Sequence, residues 1–159
     1  MDWHIPLVVT AGIFVAFLLW RMRPAGSSRG DGAGAALKDA KKRLEAAKTD
    51  EERALALADA GDACARSVGR ANGAVGYYLR AMRASPANAE LVERASKALA
   101  RRPHALEGLL WRRLGAEPWT QDKKPAAQAA LRELARLYAG PLKNRVRARA
   151  LEHALAALG

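Results

Sequence analysis

The stretch Gly76-Tyr77-Tyr78-Leu79-Arg80-Ala81-Met82, which runs on to Ala84-Ser85-Pro86, returns roughly 32 residues later. The second copy reads Gly108-Leu109-Leu110-Trp111-Arg112-Arg113-Leu114 and runs on to Ala116-Glu117-Pro118. Gly, Arg, Ala and Pro recur in register, and bulky apolar residues meet bulky apolar residues. The period is that of a helix-turn-helix unit, a piece too small to bury its own apolar face, which must therefore stack on its neighbours. The composition agrees. Past Arg21 the β-branched residues are Val68, Val75, Val92, Val146, Thr49 and Thr120, whereas strands favour branched and aromatic types. The fold class that follows is all-α.

Working outward, punctuation residues divide the chain into about seven short helices. A helix over 36–48 carries Leu37 and Leu44 one heptad apart. Thr49 and Glu52 have capping-box spacing for a second helix, expected to reach Val68 and end at Gly69. Asn72 is placed to cap the third, which Ser85-Pro86 stops after Ala84. Asn88 caps a fourth through Ala100, and Pro103 opens a fifth that ends at Gly115. Pro125 opens a sixth that reaches Tyr138 before Gly140, and Pro141 is expected to begin the last.

The N-terminus is of another kind. Residues 5–20 read IPLVVTAGIFVAFLLW without a charge, with Trp3 and Trp20 at the margins and Arg21 and Arg23 directly after. Trp3 to Trp20 as a helix rises roughly 25 Å, close to the thickness of a bilayer's hydrocarbon core. The basic residues follow the apolar run instead of preceding it, which reads as an uncleaved anchor and not a secretory signal. The expectation is a single-pass protein of a bacterial inner membrane, N-terminus outside and the rest cytoplasmic. Cys64, the one cysteine, makes no internal disulfide, agrees with a reducing compartment, and reads as a small buried hydrophobe. The expected layout is an anchor with flanks over 1–23, a flexible Gly/Ser linker over 24–34 and a helical-repeat domain over 35–159.

Ala74, Tyr78, Ala81 and Pro86, with Asn88 after the proline, resemble the second helix of a tetratricopeptide repeat. The resemblance implies an α-solenoid of antiparallel helix hairpins, with Tyr78 in the core between paired helices and Ala74 and Ala81 at the close approach. The chain departs from that pattern at Ala58 and Ala65, where the first helix usually carries large aromatics, and only one unit is close to it. An N-terminal anchor followed by Arg and then repeats is also similar to the layout of the lipopolysaccharide assembly protein B family. That family's metal-binding cysteine cluster is missing here, so this likeness bears on topology.

No catalytic constellation stands out. His104 and His153 lack metal-ligand spacing, and the Gly-rich run at 30–34 has no Lys-Ser/Thr ending for a phosphate loop. The reading is a non-enzyme without cofactor or metal. In the solenoid register the first helix of each unit lines a concave face, which assigns Asp59, Arg66, Glu90, Glu93, Lys97 and Arg101 to a partner-binding groove. The asparagines of a carboxylate clamp are absent from it. Trp119, in a turn, reads equally as a partner anchor and as filler for a core short of large side chains, and Trp111 reads more readily as filler. The expected function is a membrane-anchored adaptor or scaffold that binds another protein through its groove. The alternative comes from the net charge of +11 and from Lys143, Arg145, Arg147 and Arg149: a tethered basic module for anionic lipid head groups or, less readily, nucleic acid.

Overall fold

A computed structural model describes residues 31–67, 69–116 and 118–158. The expected anchor over 5–20 and the first part of the expected linker, 24–30, lie outside the described residues. Among the described residues the protein is all-helical, with no strand. We number its helices α1 (Asp31–Ala46), α2 (Asp50–Arg66), α3 (Ala71–Ala84), α4 (Glu90–Ala98), α5 (Pro103–Leu114), α6 (Lys124–Ala139) and α7 (Arg145–Leu158), with a 3-10 turn at Gln121–Lys123 before α6. No helix among them is long and apolar enough to cross a membrane.

Local chemistry sets most of the boundaries. Thr49 and Glu52 form a complete capping box, in which the Thr49 hydroxyl accepts from the Glu52 amide at 3.1 Å and the Glu52 carboxylate accepts from the Thr49 amide. Gly69 takes φ +80, the left-handed conformation that only glycine adopts without steric cost, and so turns the chain from α2 into α3. The Asn88 side chain accepts from the Glu90 amide at 2.9 Å and starts α4. Pro103 occupies the first turn of α5, where a missing amide hydrogen costs nothing.

Several expected boundaries shift: α2 ends at Arg66 and α4 at Ala98, each two residues before the expected end. The first helix begins at Asp31, so residues 31–34 of the expected linker are helical. Asn72 lies inside α3, which starts from Arg70 without a side-chain cap. Pro141 opens no helix. It sits in a turn with Lys143 at φ 49, and α7 begins only at Arg145, with the Asn144 side chain accepting from the Arg147 amide at 3.1 Å. A proline directly after a terminal glycine suits a helix stop as well as a start, and here the stop at Gly140 prevails.

The core is built from small and large residues in alternation. Tyr78 is 0% exposed and lies among Leu57, Ala58, Ala74, Ala81, Leu91, Val92 and Ala95. Leu106, Leu109, Leu110, Leu134 and Tyr138 continue the same cluster into α5 and α6. Each fully buried leucine of this kind contributes about 1.5–3 kcal/mol of transfer free energy. α2 packs along α3 and α6 along α7, α2 and α4 lie side by side, and α4 rests on α6. α3 and α5 likewise pack on each other. The alanine-rich faces of α2, α3 and α6 permit these approaches.

Candidate functional site

The helices α2, α4 and α6 bury one face each and leave the other towards a shared trough. Its first part, with a volume of about 1040 Å³, is lined by Arg66 of α2, Glu90, Glu93 and Lys97 of α4, and Arg101 just past the end of α4. The spacing explains the convergence, because positions 90, 93 and 97 recur at three and four residues and share one face of α4, and Arg101 joins them from the turn that follows. The trough continues towards α6, where Glu93, Lys97 and Ala100 face Arg132, Glu133 and Arg136. Both lengths lie on the same side of α4. Residues of α3, α5 and α7 line neither.

Asp59 is placed differently from the five residues around it. Its carboxylate receives Arg43 of α1 at 2.6 Å and Arg94 of α4 at 2.5 Å, so it ties three helices together behind the trough wall. Arg94 also donates through Nε and Nη2 to Asp62, at 2.9 and 2.6 Å. Asp62 in turn accepts from the hydroxyl of Tyr78. Burial alone would lower the Arg94 guanidinium, but its hydrogen bonds to Asp59 and Asp62 outweigh that and hold it above its ordinary value. Burial first, then the hydrogen bond and negative charge of Asp62, push the Tyr78 phenol up. Both groups keep their protons at neutral pH, which fixes the network as donors from Tyr78 and Arg94 to two carboxylates.

Sequence reasoning passed over Asp62, Arg94, Arg132 and Arg136. A signal for the first existed: Asp59 and Asp62 are acids three residues apart in an otherwise alanine-rich helix interior, a place where carboxylates need partners. Arg94 lies four residues after Glu90 and so belongs to the same edge of α4. Arg136 pairs with Glu133 at 2.5 Å within α6, which leaves Arg66, Lys97, Arg101 and Arg132 as exposed cations along the trough, opposed by Glu90 and Glu93.

The tryptophans are apart from this trough. Trp119 donates its indole N–H to the Leu114 carbonyl at 2.9 Å and carries the buried Arg113 guanidinium 4.8 Å from its ring centre. It walls a largely apolar cavity of about 460 Å³ with Leu114, Ala127, Leu131 and Leu158. Trp111 is 45% exposed and donates to the hydroxyl of Tyr138 at 3.0 Å. The Tyr138 hydroxyl donates to Glu107 and accepts from Arg147, so α5, α6 and α7 meet at one polar knot. His104 lies 3.5 Å from the other oxygen of Glu107. Among the described residues, no three His, Cys, Asp or Glu side chains stand together as a metal site requires. No family model, no curated protein and no solved structure matches the chain.

Proposed function

We propose that the chain is a helical-repeat adaptor, not an enzyme, that binds another protein along the trough of α2, α4 and α6. In this reading α2–α3, α4–α5 and α6–α7 are three stacked hairpins of an α-solenoid, with first helices side by side and second helices behind them. The pairing of α2 with α4, α4 with α6, and α3 with α5 supports that arrangement. The observation that carries the function is the convergence of Arg66, Glu90, Glu93, Lys97 and Arg101 on one open trough. A surface of alternating charge, long and unobstructed, suits an extended segment or a helix of a partner. Residues 5–20 hold the adaptor to a bilayer in this reading, with the helical domain on the cytoplasmic side of a bacterial inner membrane.

The test is a pull-down of the detergent-solubilised full chain from its native membranes, comparing Lys97→Ala/Arg101→Ala with Arg145→Ala/Arg149→Ala at low and moderate salt. The adaptor reading expects the first pair to abolish capture of one partner and the second pair to leave it. Equal losses from both pairs, vanishing together as salt rises, would instead mean a surface recognised only by its charge.

A further inference from the structure

The trough does not account for the outer surface of α5 and α7, which carries two of the exposed large apolar residues, Leu55 of α2 and Leu158 at the end of α7 lying elsewhere. Val146 is 81% exposed and Trp111 45% exposed, on helices whose other faces are well packed. On α7 the buried side is Ala148 and Leu151, so Val146, Arg149, Ala150 and His153, spaced by three and four residues, share the side turned to solvent, and all four are exposed. Arg149 flanks the Val146–Ala150 strip on one edge and Arg147 on the other. Beyond Arg147 comes Trp111, which lines an open cleft together with Tyr138, Arg147, Ala150 and Leu151. Arg112 and Arg145, both exposed, extend the positive border, and α7 contains a single acid, Glu152.

We propose that this α5–α7 face rests on an anionic bilayer surface, with Trp111, Val146 and Ala150 at the headgroup boundary and Arg112, Arg145 and Arg149 among the phosphates. Charge complementarity selects the occupant. A cationic rim around an apolar strip is the arrangement by which interfacial helices bind acidic lipid, where the aliphatic part gains from the acyl boundary and the rim from the headgroups. A nucleic acid would satisfy the arginines but offers nothing to the exposed Val146. The hydrogen bond from the Trp111 indole to Tyr138 fixes the ring before any contact, and tryptophan with one apolar side and one bonded N–H is suited to that interface. The two surfaces divide the labour, since the trough is lined by α2, α4 and α6 and stays open when α5 and α7 lie on lipid.

The experiment uses the full chain with Cys64→Ala and a fluorophore on Ala150→Cys, or on Ala100→Cys in the trough as reference. It is reconstituted into phosphatidylcholine vesicles, with or without about 30% phosphatidylglycerol, carrying nitroxide-labelled acyl chains. The label at 150 should be quenched only with phosphatidylglycerol, and the label at 100 should not be. Arg145→Glu/Arg149→Glu should cut the quenching at 150 by about half or more. Val146→Ser, which keeps every charge, should reduce quenching as well. Equal quenching at both positions, indifference to either variant, or no quenching at all would overturn the proposal. Binding of a single-stranded oligonucleotide that depends on Arg145 and Arg149, with no lipid quenching at 150, would assign the face to nucleic acid instead.

Discussion

Gly61 of α2 lies directly against the ring of Tyr78 on α3: a Cβ at position 61 would stand 2.9 Å from Cε2 and 3.0 Å from Cδ2. That ring is fully buried and tied to Asp62 through its hydroxyl, so it has no room to retreat. Gly61→Ala gains helix propensity of up to about 1 kcal/mol but incurs overpacking of about 1–3 kcal/mol, and the clash should win. Gly76→Ala supplies the contrast, because no atom stands within 4 Å of its Cβ position. Urea unfolding should show Gly61→Ala destabilised and Gly76→Ala stabilised. A stabilised Gly61→Ala would mean that α2 and α3 are further apart than described.

Adjacent tyrosines should respond very differently to truncation. Tyr78→Ala removes a fully buried ring and should cost about 3 kcal/mol or more. Tyr77 is only partly buried and packs under the Arg80 guanidinium at 4.8 Å, so Tyr77→Ala should cost far less. Equal small losses in denaturant melts would argue against the register of α3.

Alkaline pH should weaken the fold through Tyr78. Its folded phenol is held above the ordinary value of 10.0, so its contribution is complete below that value, where the hydroxyl is protonated whether the chain is folded or not. As pH rises past 10 the unfolded chain ionises first, and stability falls by up to about 1.4 kcal/mol per pH unit until the folded phenol also ionises. Tyr78→Phe should lose this part of the slope while being less stable at neutral pH. Parallel pH profiles of the two proteins above pH 10 would show that the phenol is not the titrating group.

The proposed topology sets the outcome of a labelling experiment. With Arg21 and Arg23 on the cytoplasmic side, Ser27→Cys should resist a membrane-impermeant thiol reagent in intact cells and react after lysis. Reaction before lysis would reverse the orientation.

The helical class and most helix ends were legible because their signals are local. Thr49, Gly69, Asn88, Pro103 and Gly140 act within a turn of themselves, and the near absence of branched residues leaves strands no material. Asn72 and Pro141 misled for the same reason: a cap signal states what a residue could do, and neighbouring residues decide. The burial of Tyr78 followed from its register with Ala74 and Ala81. Asp62 and Arg94 did not show themselves, because their partners are roughly 32 residues apart in the chain and pairing of that kind depends on how α2 meets α4. Arg113 sits where the internal repeat has Ala81, and both are buried, so a guanidinium replaced a methyl group inside the core without changing the apolar pattern around it.

The brevity of α4 has a dynamic consequence. Nine residues make too short a helix to persist alone in water, so its order is lent by Leu91, Val92 and Ala95 in the core and by Arg94 on the carboxylates of α2. Its amide hydrogens should therefore exchange with solvent through local opening, sooner than those of the α2–α3 pair on one side or the α6–α7 pair on the other. Since α4 carries Glu90, Glu93 and Lys97, whatever settles in the trough would slow that exchange. Isotope uptake along α4 then becomes a direct gauge of occupancy, readable before any occupant has been identified.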